Sequence, residues 1–279
     1  MAMPVVSLWV LILMRLAALS GERVAFHGLG RNRQALATTQ VAYGGAALLL
    51  WLWSFFAGQG RWVGQAFWPG AIYAVSFTAY TQALALGPVS LVNGFANATV
   101  VMLFLLSPIW SPLPILALSL FIVGGVMLLP RGGHLSRGVW WMLASGAALV
   151  AGRILDAGHQ ALPSLPYAAT LFTVVVMWLT VPVTAYGLWP AIGALIGERP
   201  GWAMAAATLN AVSYLTVLEL LRQISPTLVE AVSAWAGVVA TIAGVIGFKE
   251  GGATRKVSAA TLMTVGTMIL LFSRPGRMG

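Results

Sequence analysis

Ten times in 279 residues the chain runs through about twenty mostly apolar residues, and between these runs it leaves no room for a soluble domain. The runs cover about 4–28, 36–57, 68–86, 90–109 and 113–130, then about 138–160, 167–189, 201–222, 227–247 and 257–273. Each is long enough for a helix to cross a hydrocarbon core of ~30 Å. Hydrocarbon offers backbone amides no partner, so a spanning segment must satisfy them within itself or in a closed barrel. A barrel needs alternating polar and apolar positions, which these runs lack. Turn residues punctuate the gaps: Gly87-Pro88, Ser111-Pro112, Arg131-Gly132-Gly133, Pro163 to Pro166, and Gly251-Gly252. The expected fold is an all-α polytopic integral membrane protein with about ten transmembrane helices.

Charge enters the argument as an exclusion. Only 8% of residues are charged, against roughly 25% in a soluble domain. The net charge of +9 comes from Lys and Arg scattered through the gaps rather than gathered on one face, which argues against a nucleic-acid partner. With no Cys there are no disulfides and no thiolate metal ligands. Met1-Ala2-Met3-Pro4 carries no positive side chain and Arg15 interrupts the apolar stretch, so the first run reads as a membrane helix rather than a signal peptide. Most of the 12 Trp lie near run ends, as in an interfacial belt.

The chain also repeats itself. Ala74-Val75-Ser76-Phe77 recurs as Ala211-Val212-Ser213-Tyr214, 137 positions on, and the same displacement sets Ser90-Leu91-Val92-Asn93 on Thr227-Leu228-Val229-Glu230. Farther along, Val123-Gly124-Gly125-Val126 resembles Val265-Gly266-Thr267-Met268 at a displacement of 142, which places five extra residues in the loop around Gly251. The chain therefore divides into a first repeat, 1–131, and a second, 132–279, of five spans each. An odd number of spans inverts the second copy, an arrangement that sets a substrate site near the midplane between the halves.

In this order of elements the sequence resembles the drug/metabolite transporter superfamily in its ten-helix EamA-type form. The resemblance covers almost the whole chain and is clearest where Ile224-Ser225-Pro226-Thr227-Leu228-Val229-Glu230 opens a helix that ends at Gly247-Phe248-Lys249-Glu250, followed by Arg255-Lys256 and Gly266. Two features depart from the family pattern: Pro108-Ile109-Trp110 stands where the first half would carry an acidic pair, and neither copy has the frequent mid-helix proline. The resemblance implies an exporter of amino acids or similar small polar or amphipathic solutes. It also implies termini in the cytoplasm, whereas nine basic residues after odd-numbered spans against four after even-numbered ones would put them outside. The family orientation is followed here.

An ionised side chain at a span's centre costs about 2.5–3.5 kcal/mol on insertion scales, so each needs a reason. Arg153 and Asp156 are three apart on the sixth span and can pair, with His159 three further on. Arg15 and Glu22 share a face of the first span, with Arg23 alongside. These groups read as a buried charge network along the pathway; the alternative is an ion pair that pins helices, or snorkelling near helix ends. A metal site at Asp156 and His159 lacks a third ligand. Glu230 reads either as a proton carrier or as half of a capping box with Thr227. Its repeat partner Asn93, with Asn97 one turn on, can hydrogen-bond a polar solute. Tyr73, Ser76 and Tyr80 share a face of the third span, and Asn210 and Ser213 one of the eighth, as a cavity wall or as polar contacts between helices. Glu219 and Arg222 read as an interfacial pair. Ser233, Gly237, Thr241 and Gly244 read as a close-packing stripe.

The reading is a multi-pass transporter of the cell (plasma or inner) membrane, not an enzyme and without a cofactor, working by alternating access as a monomer or homodimer. Its partners are the bilayer, a small-molecule substrate and, through Glu230, Asp156 or Glu22, protons as coupling ion. A lipid-head-group flippase, or a membrane-embedded enzyme acting on a lipid-linked substrate, is the alternative.

Overall fold

The structure, a computed structural model, describes residues 7–30, 34–106, 112–128, 136–247 and 251–272. Among these the regular elements are helices throughout: α1 (Leu8–Gly30), α2 (Ala35–Phe56), a 3-10 turn (Gly64–Ala66), α3 (Phe67–Leu86), α4 (Val89–Ala96), α5 (Ala98–Leu105), α6 (Pro112–Leu128), α7 (Arg137–Gly158), α8 (Ser164–Ala185), α9 (Trp189–Glu198), α10 (Pro200–Leu221), α11 (Pro226–Gly247) and α12 (Ala253–Phe272). Five of them, α2, α7, α8, α10 and the stretch Leu228–Gly247 of α11, are long and apolar enough to cross a membrane.

The distribution of side chains is that of a chain in lipid. Large apolar groups point outward, among them Trp9, Leu13, Phe56, Trp68, Val181 and Ile246, while Arg15, Glu22, Arg23, Arg153, Asp156 and Glu230 are buried. A water-soluble fold shows the reverse, because burying charge is costly and exposing hydrocarbon to water is unfavourable.

Helix ends follow local chemistry. Ser136 caps α7 by accepting a hydrogen bond from the Val139 amide. α2 and α8 end alike, with Gly58 (φ 66°) and Gly187 (φ 61°) in the left-handed region. In each case the following amide reaches back five residues, Gln59 to the Ser54 carbonyl at 2.8 Å and Leu188 to the Val183 carbonyl at 2.9 Å. This is the Schellman closure, for which glycine suffers no Cβ penalty.

Two elements differ from expectation. The fourth run is interrupted at Asn97, which separates α4 from α5, and the short helix α9 intervenes before α10. α9 opens on Trp189-Pro190, and the fixed φ of proline suits a first helical turn. Helices pack in pairs: α1 lies along α10, α3 along α7, α2 along α8, α6 along α12, and α11 against α4. Small residues permit the closest of these approaches. A methyl group on Gly124 would stand 2.7 Å from the Ala259 carbonyl, and one on Gly266 would stand 2.6 Å from the Ala117 carbonyl. Two members of the α11 stripe pack closely: Thr241 reaches the Ser90 carbonyl at 3.4 Å, and a methyl on Gly237 would come within 3.2 Å of the Asn93 carbonyl; Ser233 instead lines a central cavity and accepts from Arg15.

Candidate functional site

A partly open cavity of about 670 Å³, counting the space at its mouth, lies between the central turns of the bundle. Its wall carries an aromatic part and an ionic part among small and aliphatic residues. Tyr43, Phe77 and Tyr80 line one part, with the Tyr43 and Phe77 rings stacked at 4.3 Å, and Arg15, Glu22, Arg23, Arg153 and Glu230 line another.

Arg153 on α7 is the hub of the ionic part. Its Nε donates to Glu230 Oε1 on α11 at 2.6 Å, and its Nη1 donates to the Tyr73 hydroxyl at 3.0 Å and to Asp156 Oδ2 at 3.4 Å. Asp156 accepts three further hydrogen bonds, from Tyr73 (2.5 Å) and Tyr214 (2.9 Å) at Oδ2 and from Tyr167 (2.9 Å) at Oδ1. Arg153 is 4% exposed and Asp156 1%. Burying ions in a low-dielectric interior costs several kcal/mol each unless both charge and lone pairs are met, and here they are. Gly152 makes room for this arrangement, because a methyl there would stand 2.6 Å from Tyr73 Cζ.

The cluster also divides two spaces. Beyond it a smaller void of about 210 Å³ is lined by Asp156, His159, Tyr167 and, at the end of α10, Leu221 and Arg222. The Asp156 and tyrosine layer is thus a partition between the central cavity and one end of the bundle.

Arg15 is held differently, by neutral oxygens alone: its Nε donates to Ser233 Oγ at 3.0 Å, and its Nη1 to the Ser213 carbonyl at 3.0 Å and hydroxyl at 2.5 Å. On the other side of the cavity Ser76 donates to the Ser145 carbonyl at 2.9 Å, tying α3 to α7 as Ser213 ties α10 to α1. Arg23 is buried with Nε and Nη1 unpartnered.

The residues singled out from sequence converge on this region. Arg153, Asp156 and Glu230 form one network, and Arg15, Glu22, Ser76, Tyr80, Asn210 and Ser213 line the cavity. Asn97, at the break between α4 and α5, donates to Thr264 Oγ1 at 2.9 Å. Asn93 is fully buried on α4, and neither of its side-chain polar atoms has a partner. The Glu230 half of the capping box is not seen, since its carboxylate is turned to Arg153; the side chain of Thr227 lies outside the described residues. His159 bonds within its own helix, to the Leu155 carbonyl at 2.8 Å. Glu219 and Arg222 pair at 3.3 Å, half-exposed, and Arg222 also bonds the Gln160 and Leu162 carbonyls. Pro108-Ile109-Trp110, Glu250 and six of the thirteen charges that set orientation, Arg31, Arg33, Arg131, Lys249, Arg274 and Arg277, lie outside the described residues.

Sequence reading singled out Tyr73 but missed the other two tyrosines of the shell, Tyr167 and Tyr214. Tyr214 carried a usable signal, a hydroxyl where the repeat partner Phe77 has none. Tyr167 carried none, because its role depends on α8 folding back across the end of α7.

No family model matches the chain, and no curated protein does. Solved structures resemble it. In one, a crystal structure of a protein, the two chains superpose with a TM-score of 0.65 at 15% identity, over 96% of this chain and 99% of that one. At that identity the likeness speaks for the fold alone.

Proposed function

We propose that the chain is a membrane transporter that carries a small polar or amphipathic metabolite, of the amino-acid kind, by alternating access around the central cavity. The carrying observation is the cavity itself: about 670 Å³ of space, walled by aromatic rings and by buried charges that no lipid-facing role requires. A site with an apolar body and a few converging polar groups is what a small solute needs.

The mechanism needs two halves that rock against each other, and the contacts support such a division. Gly124 meets the Ala259 carbonyl while Gly266 meets that of Ala117. Each member of the second contact is 142 positions from its counterpart in the first, so the contact is reciprocal, as across a two-fold axis. Exchanging the halves likewise carries the pair α1 and α10 onto α7 and α3, and the glycine closure of α2 onto that of α8. This favours ten spans as two inverted five-helix repeats, 1–131 and 132–279, in the drug/metabolite transporter manner. The break at Asn97 suits the reading too, since transporters place interrupted helices beside the site. The Arg153, Asp156 and tyrosine layer would then close one mouth and exchange partners when that mouth opens. Asp156, Glu230 and Glu22 are the groups on which a coupled proton would ride, and a plasma or inner membrane is the expected setting.

The test is solute flux. Purified protein in liposomes is expected to give saturable uptake of a small metabolite, with Asp156→Asn and Glu230→Gln at least about tenfold slower. Formation of a new product from a lipid-linked substrate would replace this reading by an enzymatic one.

A further inference from the structure

Arg23 is 6% exposed, lies in the cavity wall, and has no hydrogen-bond partner at Nε or Nη1. A buried guanidinium with two of its nitrogens unbonded is unfavourable, which makes it the place where a hydrogen-bond acceptor is missing.

The other half of the chain shows what is missing. Ala17-Ala18-Leu19 precedes Arg23 as Ala147-Ala148-Leu149 precedes Arg153, with the same spacing and a displacement of 130. Arg153 is neutralised by Glu230 on α11. The counterpart of Glu230, at a displacement of 137, is Asn93 on α4. The geometry agrees with the alignment, because a methyl on Gly237 would meet Arg23 Nη1 at 3.0 Å, the Asn93 carbonyl at 3.2 Å and Asn97 Oδ1 at 3.5 Å. Arg23 thus faces the α4 turn as Arg153 faces α11, but where the second half supplies a carboxylate the first supplies a neutral amide.

The donors left over gather there. Asn93 Nδ2 and the Tyr80 hydroxyl have no partner, nor do the acceptors Asn93 Oδ1 and Asn97 Oδ1, and Tyr80 lies near the guanidinium without closing a well-aligned bond.

We propose that Arg23 binds a carboxylate carried by the transported solute, which takes the place that Glu230 fills opposite Arg153. The proposal rests on the transporter reading and narrows it to small carboxylates with an apolar body. A guanidinium fork matches a carboxylate in two parallel bonds. The rings of Tyr43, Phe77 and Tyr80 suit the apolar remainder. Glu22, on the same wall, is placed for an amino group if the solute has one.

The experiment follows thermal unfolding of the full chain in detergent against three probes: 3-phenylpropanoate, L-phenylalanine and phenethylamine. Wild type is expected to be stabilised saturably by the two carboxylates and not by the amine; a larger gain with L-phenylalanine would assign Glu22 to the amino group. Arg23→Gln is expected to weaken carboxylate binding about 10–100-fold. Asn93→Glu, which installs the missing carboxylate, is expected to lose the same binding while unfolding no earlier than wild type, so the outcome does not depend on Arg23→Gln folding. The proposal is overturned if neither carboxylate stabilises wild type, if the amine does so better, or if both variants keep the wild-type response. Flux of the same probes in liposomes separates the two readings: carboxylate binding without flux would remove transport and leave the Arg23 site, whereas flux unchanged in Arg23→Gln would remove the site and leave transport.

Discussion

Arg153 Nε and Glu230 Oε1 stand 2.6 Å apart across the α7 and α11 contact, both side chains buried, with Asp156 completing the pair on the other edge of the guanidinium. One cation shared by two carboxylates holds three groups in one place, and its removal leaves Asp156 with tyrosine hydroxyls alone and Glu230 without its ion-pair partner.

Arg153→Met should therefore destabilise the protein by about 3–5 kcal/mol, the range for stranding a buried partner. Glu230→Gln should cost less, since Asp156 still pairs the guanidinium. Arg153→Met with Glu230→Leu together should cost less than the sum of the separate changes, because the stranded charge is shared. Unfolding in detergent, measured as a double-mutant cycle, checks the sign of that coupling.

Gly152→Ala should act through Tyr73. The added methyl, 2.6 Å from the ring, displaces it from Asp156 and removes a charge-assisted hydrogen bond. A loss of about 1–3 kcal/mol is expected. Tyr73→Phe should remove the bond without the overlap and should lose less. Comparison of the two melting temperatures separates the steric from the polar contribution.

Gly124→Ala and Gly266→Ala place a methyl 2.7 Å and 2.6 Å from a carbonyl of the facing helix. If the two contacts are related by a two-fold axis, their costs should agree within about 0.5 kcal/mol, on the scale at which independent sites add. A large inequality would count against the reciprocal arrangement of α6 and α12.

Much of the fold was legible because lipid imposes one rule: long apolar runs must be helices, and many helix ends fell at or beside a glycine, proline or serine. The break at Asn97 was not, since neither proline nor glycine occupies it and the interruption arises where α4 packs against α11. α9 was not, because Trp189 to Glu198 falls in the gap between two runs and its ten residues are too short to read as a span. Within the site, Arg153, Asp156 and Glu230 stood out as charges in hydrocarbon, a signal that survives without coordinates. Which of them pair was only half legible. The spacing of Arg153 and Asp156 gave one contact, while Glu230, 77 residues away, could be joined to them only by the packing of α11 on α7. Arg23 is the instructive case, because its meaning lies in the partner it lacks.

The central claim is that the cavity passes a solute. The most direct measurement is uptake of a panel of small metabolites into liposomes containing the purified protein, repeated with Asp156→Asn and Glu230→Gln. The expected result is saturable uptake of at least one carboxylate-bearing solute by wild type, reduced at least about tenfold in both variants. Uptake of every solute no faster than into protein-free liposomes would contradict it.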